Sequence, residues 1–205
     1  MDSLFLISTF VTLFVILDPF ALTPMFVALT KGMDSTMRRA IALRACVTGM
    51  IVLMAFAAFG EALLGLIGIS MHAFRIAGGM LLFLTALEML FERRSKRREG
   101  SAEEEEHPDP SVFPLAIPLI AGPGAIASVI LLTGQQPGWG GFLAVVGMMI
   151  VVIVILFFFL LSASLLERAL GKTGINILTR LFGMLLAALA VQFVLDGLRG
   201  FGLSG

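Results

Sequence analysis

Ile16-Leu17-Asp18-Pro19-Phe20-Ala21-Leu22-Thr23-Pro24 interrupts an apolar run that otherwise extends from Leu4 to Thr30. That run is long enough for a membrane-spanning helix, which needs about 20 apolar residues to cross ~30 Å of hydrocarbon. Asp18 reads as an N-cap and Pro19 as the first residue of a second half-helix, which Thr23-Pro24 loosens one turn later. A comparable break stands further on, where Pro114, Pro118 and Gly122-Pro123-Gly124 leave the backbone short of hydrogen bonds. In lipid such groups are costly unless they are buried in protein or line a wet cavity. An aliphatic helix would cross more cheaply, so two breaks, one carrying an acidic residue, point to function at the breaks.

The composition agrees. Of 205 residues, 59% are hydrophobic and only 14% are Asp, Glu, Lys or Arg, with a mean hydropathy of +1.03. A soluble domain carries charge on about 25% of its residues. Half that cannot cover a globule with polar side chains, so the chain reads as an all-α membrane protein. The formal net charge of zero gives no general attraction for nucleic acid. Cys46 is the single cysteine, which excludes an intramolecular disulfide, a thiol redox pair and a cysteine zinc site. No metal and no cofactor is expected.

Six spans follow: Leu4–Thr30, Ala40–Ile69, Met71–Phe91, Val112–Thr133, Gly138–Leu166 and Ile175–Leu198. The uncharged stretch from Pro110 to Leu166 is too long for one span, and Gly134-Gln135-Gln136-Pro137-Gly138 is the turn that divides it. Met1-Asp2-Ser3 offers no basic leader and no small-residue cleavage pattern follows, so the first span reads as retained. Basic residues collect in alternate loops: Lys31, Arg38 and Arg39, then Arg93 to Arg98, then Arg168 and Lys172. Those loops are expected in the cytoplasm and both termini outside. Residues Glu92–Asp109 hold twelve of the 28 charges and read as a solvated tether, with a regulatory or partner-binding role as the alternative.

The two breaks are related. Gly79-Met80-Leu81-Leu82 recurs as Gly183-Met184-Leu185-Leu186 at an offset of 104, which also places Asp18 on Gly122, Pro19 on Pro123, Glu88 on Gln192 and Glu92 on Asp196. Spans 2 and 5 show little similarity at this offset. Three spans per unit reverse orientation between copies, so the expected architecture is a 3+3 inverted-topology repeat in one domain. Its parts are residues 1–91, the charged loop 92–111 and residues 112–205, with helices 1 and 4 broken near the midplane.

The candidate substrate-binding residues are therefore Asp18, Pro19, Thr23, Pro24, Gly122, Pro123 and Gly124. A half-helix N-terminus offers free N–H groups and a positive dipole end to a carboxylate, and Asp18 is suited to an ammonium group or a coupling proton. Glu88, Gln192, Arg75 and Arg180 complete the polar groups within spans and form the coupling or supporting set. For Arg75 and Arg180, near span ends, snorkelling is the simpler account. His72 is expected in an exposed short loop, and Phe157-Phe158-Phe159 facing lipid.

The motifs resemble a known family. Asp18-Pro19-Phe20 through Pro24, Phe74-Arg75-Ile76-Ala77-Gly78-Gly79 leading to Glu88-Met89-Leu90, the stretch Pro114–Ile126, and Leu178-Thr179-Arg180 through Gln192-Phe193-Val194-Leu195-Asp196-Gly197 are similar to those of the MarC family of bacterial inner-membrane proteins. The resemblance covers nearly the whole chain outside the charged loop and implies six spans. Some members are classed as transporters of neutral amino acids such as glycine and alanine, and the resemblance implies that class here. Relatives often carry Gly-Asn after the Phe of the Asp-Pro-Phe motif, where this chain has Ala21-Leu22.

The expected function is a multi-pass inner-membrane secondary transporter of a small solute, a neutral amino acid by resemblance, with proton coupling through Asp18 or Glu88. The expected partners are that solute and the lipid bilayer, with homo-oligomerisation left open. An intramembrane enzyme is disfavoured: a thiol oxidoreductase needs two cysteines, a zinc protease His-Glu-x-x-His, and an aspartyl protease two aspartates at membrane depth. The alternatives are a non-transporting scaffold or envelope-stress protein, and an exporter of other small molecules.

Overall fold

The structure, a computed structural model, describes residues 3–91 and 109–202. Of the charged block read as a tether, only Asp109 lies within the described residues. Eight helices follow one another among them: α1 (Ser3–Leu17), α2 (Pro19–Leu29), α3 (Ser35–Ile67), α4 (Met71–Leu90), α5 (Ser111–Ile120), α6 (Pro123–Gln135), α7 (Trp139–Leu161) and α8 (Ala163–Gly200). Five spans are long and apolar enough to cross a membrane, with α1 and α2 counted together and α8 from Thr173. The pair α5 and α6, bent by 53°, makes a sixth if it is one span.

Local chemistry sets most of the boundaries. Asp18 is the one residue between α1 and α2, and it lies in the left-handed region (φ 47°, ψ 70°), which a short polar side chain tolerates better than an apolar one. Its Oδ1 accepts the Ala21 amide at 3.2 Å, and Pro19 supplies a pre-set φ at the first helical position. Asp34 caps α3 through the Met37 amide at 2.7 Å, and Gly68 (φ 80°) ends it in a left-handed C-cap. Ser70 caps α4 through Ala73 at 3.2 Å.

The α5 segment is irregular because prolines recur every fourth residue at 110, 114 and 118. The residue before proline is driven from helical to extended backbone. Phe113 (φ −125°, ψ 126°) and Ile117 (φ −128°, ψ 122°) comply. The surviving amides reach back five residues: Leu115 N donates to Pro110 O at 3.2 Å, and Ala121 N to Ala116 O at 2.8 Å. The chain then turns at Ala121-Gly122 and restarts as α6.

Small residues bring the spans together. Helices α4 and α8 make the most extensive contact among the described residues. A side chain on Gly79 of α4 would sit 2.8 Å from the Ala190 carbonyl oxygen and from Val194 of α8, and one on Gly183 of α8 would lie 3.0 to 3.2 Å from Met89, Ala86 and Leu90 of α4. Where there is no hydrophobic drive between helices in lipid, such close approach supplies the dispersion energy that holds them. Leu82, Ala86, Met89, Leu186, Ala190 and Phe193 are buried along this seam.

Three expectations need correction. The fifth span ends at Leu161, not Leu166: α8 begins at Ala163 and carries Glu167 and Arg168 as helix up to a kink at Gly171 (φ 62°, ψ 173°). The missing Cβ lets the chain take that conformation. His72 is not exposed in a loop. It sits half-buried on the first turn of α4, edge-on to Phe201 with ring centroids 5.7 Å apart. Phe158 faces outward, but Phe159 packs edge-on to Phe20 at 4.9 Å, so the three phenylalanines do not share a lipid face.

Asp109 ties the start of α5 to α3. Its carboxylate accepts the Ser111 amide at 3.0 Å and pairs with Arg44. Hydrogen bonds from Ser111, joined by the Arg44 guanidinium, hold the Asp109 pKa below its ordinary 3.8. A depressed carboxylate pKa contributes stability above the unfolded value that is lost as pH falls through the folded one. Asp109→Asn is therefore expected to lower stability at neutral pH by no more than about 1 kcal/mol for a solvated pair, read as a small drop in melting temperature in detergent. As pH falls through the folded pKa of Asp109, the difference between the variant and the parent should vanish. For the seam, Gly79→Ala is expected to cost about 1–3 kcal/mol, since backbone must move. Gly147→Ala on α7, where an added Cβ meets nothing within 4 Å, should leave the melting temperature level or slightly raised.

Candidate functional site

The elbow between α5 and α6 opens onto a cavity of about 460 Å³. Phe113, Pro114, Pro118 and Leu119 of α5 and Gly122-Pro123-Gly124-Ala125 at the start of α6 form one side. Leu81, Leu84, Thr85 and Glu88 of α4 form the facing side, and Ile16 of α1 and Met25 of α2 close it. Gly124 marks where three spans meet: a Cβ there would lie 3.2 Å from Ile16 Cδ1 and 3.5 Å from Thr85 Oγ1. Gly122 is required by the elbow itself, because a Cβ would fall 2.5 Å from the Pro118 carbonyl oxygen.

The two polar sides of this cavity differ in kind. No side chain caps α6 at Gly122, Pro123 has no N–H, and the first intrahelical bond runs from Ile126 N to Gly122 O at 2.9 Å. The Gly124 and Ala125 amides are therefore the leading donors of α6, at the positive end of its dipole. Across from them, the Thr85 hydroxyl donates its proton to the Leu81 carbonyl at 3.0 Å, leaving acceptor lone pairs. The half-buried Glu88 lies one turn further along the same face of α4. One side offers donors, the other acceptors, and the rest of the wall is apolar.

The sequence-predicted residues divide between this cavity and elsewhere. Gly122, Pro123, Gly124 and Glu88 are on the wall. Asp18, Pro19, Thr23 and Pro24 are not on it. Asp18 is fully buried and caps α2, Pro19 is buried, and the Thr23 hydroxyl donates to the Pro19 carbonyl at 2.8 Å. Arg75 is half-buried near the start of α4, and Arg180 is exposed on α8. Gln192 is exposed and donates through Nε2 to Asp196 Oδ1 at 2.8 Å, an oxygen that also takes Arg199 at 3.4 Å.

Thr85 escaped the sequence reading, although its place three residues before Glu88 puts both on one helix face. Ile16 and Met25 carry no polar signal, and they reach the cavity from either side of the break at Asp18.

Comparison with known proteins agrees with this architecture. Residues 3–201 match the model of the MarC family integral membrane proteins. The chain is 37% identical to the UPF0056 membrane protein YvbG of Bacillus subtilis over 201 residues, covering 96% of this chain and 95% of that one. It is equally similar, at 37% over 194 residues, to the UPF0056 inner membrane protein YhgN of Escherichia coli, covering 95% and 96% of the two chains. The UPF0056 membrane protein MJ1677 of Methanocaldococcus jannaschii is 37% identical over 204 residues, 98% of each chain. No solved structure matches. A family model that accounts for nearly every residue, and relatives aligned end to end, leave one assignment: the chain belongs to the MarC family of integral membrane proteins.

Proposed function

We propose that this chain is a secondary transporter of the inner membrane that carries a small zwitterionic solute, a neutral amino acid, through the cavity at the α5–α6 elbow. The supporting observation is that the uncapped start of α6 and the oxygen-bearing Thr85 and Glu88 of α4 line one cavity. In this reading the solute carboxylate takes the Gly124 and Ala125 amides and the ammonium group takes Glu88 and Thr85 Oγ1. Glu88, on the wall, is the coupling carboxylate, and Asp18 is the structural cap of α2. The basic loops support cytoplasmic placement of the α4–α5 connection, with both termini outside and the cavity in the inner half of the membrane.

The contacts along the α4–α8 seam support an inverted repeat. Gly79 meets residues 190 and 194, and Gly183 meets residues 86 and 90. Adding 104 to 79, 86 and 90 gives 183, 190 and 194, so each contact is the image of the other under the sequence offset. The same offset carries the cavity positions Pro114, Pro118 and Gly124 onto Phe10, Phe14 and Phe20. Those rings pack together with Phe182 and Phe159: Phe10 lies 5.7 Å from Phe14, Phe14 5.7 Å from Phe182, and Phe20 4.9 Å from Phe159. One half holds a cavity where the other holds aromatic side chains. That is the asymmetry alternating access requires, with the aromatic cluster parting as the cavity closes.

Two experiments test the reading. In proteoliposomes, counterflow of a neutral amino acid is expected from the parent, at least tenfold lower flux from Glu88→Gln and Gly122→Leu, and near-parent flux from Asp18→Asn, which keeps Oδ1. Parent vesicles without flux, or unaltered flux in both cavity variants, would remove this assignment. In a Cys46→Ala background, the paired probes Thr85→Cys and Leu189→Cys occupy offset-related positions, both half-buried. Adding Phe20→Ala is expected to raise maleimide labelling at 189 severalfold and to lower it at 85. Labelling that does not move in opposite directions at the two sites excludes the aromatic cluster as the closed half.

A further inference from the structure

Resting on the zwitterion reading above, we infer that the solute carries a large apolar side chain, of the leucine, methionine or phenylalanine class rather than that of glycine or alanine. The cavity of about 460 Å³ falls within the ~300–1,000 Å³ range of small-molecule sites, well beyond what a two- or three-carbon amino acid fills. Its polar groups are confined to the start of α6 and to Thr85 and Glu88. Ile16, Met25, Leu81, Leu84, Leu119 and Pro118 supply apolar wall around them.

Glycine would satisfy the polar groups and leave that wall to water. Water held against aliphatic side chains lacks the two to four partners it needs, so displacing it with a hydrocarbon group is favourable. Each buried methylene is worth about fourfold in affinity. The three further carbons of leucine over alanine are therefore worth some tens of fold. Met25 adapts the wall to branched, linear or aromatic groups, because an unbranched thioether repacks at little cost. Polar side chains of the asparagine or serine type would bury donors and acceptors against this wall unpaired and are excluded by the same chemistry.

Isothermal titration of the purified full-length protein with glycine, alanine, leucine, methionine and phenylalanine tests the inference. Leucine is expected to bind at least tenfold more tightly than alanine, and alanine more tightly than glycine. Leu81→Ala, with folding checked by melting temperature, should weaken leucine severalfold and leave glycine unchanged. Two analogues separate this inference from its foundation: 3-methylbutylamine lacks the carboxylate of leucine and 4-methylpentanoate lacks its ammonium group, and each should bind at least tenfold more weakly than leucine. Glycine or alanine binding as tightly as leucine would overturn the side-chain inference and leave the zwitterion reading standing. Analogues as tight as leucine, or no binding by any amino acid, would overturn both.

Discussion

Proline at every fourth residue is the constraint from which the second half of the chain takes its form. Pro110, Pro114, Pro118 and Pro123 remove four amide donors within fourteen residues and block the helical turn that precedes each of them. A straight helix is impossible there. The amides that remain reach back five residues, the pre-proline positions turn extended, and the chain bends by 53° before α6 begins. Hydrocarbon does not hydrogen-bond the groups so released. The segment must then be sheathed by other helices or open onto a cavity, and it does both: Pro114, Leu115 and Ala116 are buried, while Pro118, Gly122 and Gly124 line the hollow against α4.

Helix α4 carries two jobs on two faces. Gly79, Ala86 and Leu90 lie against α8, and Leu81, Thr85 and Glu88 form a cavity wall. Gly78, on the flank, accepts Leu131 and Ala127 of α6 so closely that an added Cβ would lie 2.9 Å from Leu131. With so little free volume, α4 cannot rotate alone. On the far side of the seam, Phe182 of α8 packs against Phe14 and Phe20. The α4–α8 seam therefore lies between the cavity wall on α4 and the aromatic cluster that Phe182 joins from α8.

How far the sequence could be read depended on whether a feature was covalent and local or tertiary. The apolar runs and the Asp18 cap act within a few residues, so the spans were legible, whereas the Asp34 cap went unread and α3 starts at Ser35 rather than Ala40. The end of α7 was not legible either. Leu161 to Leu166 is uniformly apolar but for Ser162 and Ser164, and the boundary falls at the Ser162 turn, after which residues 163–170 form a short helical stretch with Glu167 and Arg168 before the kink at Gly171. Phe159 looked like its neighbours because composition does not record which ring has an aromatic partner across the fold. In the cavity, the glycines and Glu88 announced themselves by type. Ile16 and Met25 did not, since nothing in an aliphatic side chain distinguishes a wall from a core.

The contrast between Asp18 and Glu88 shows what an acidic residue within a span signifies. Both are out of place in hydrocarbon, and the general expectation is a functional role for each. Asp18, however, answers a local demand. A helix restarting at Pro19 exposes its first amides, and the carboxylate oxygen 3.2 Å from Ala21 N meets one of them without help from water. Glu88 is placed differently: it stands near the end of α4, where a helix dipole disfavours negative charge, and it lines the cavity. A carboxylate at that end gains nothing from its own helix dipole. Depth in the membrane is thus the weaker criterion, and the stronger one is whether the local backbone already accounts for the charge.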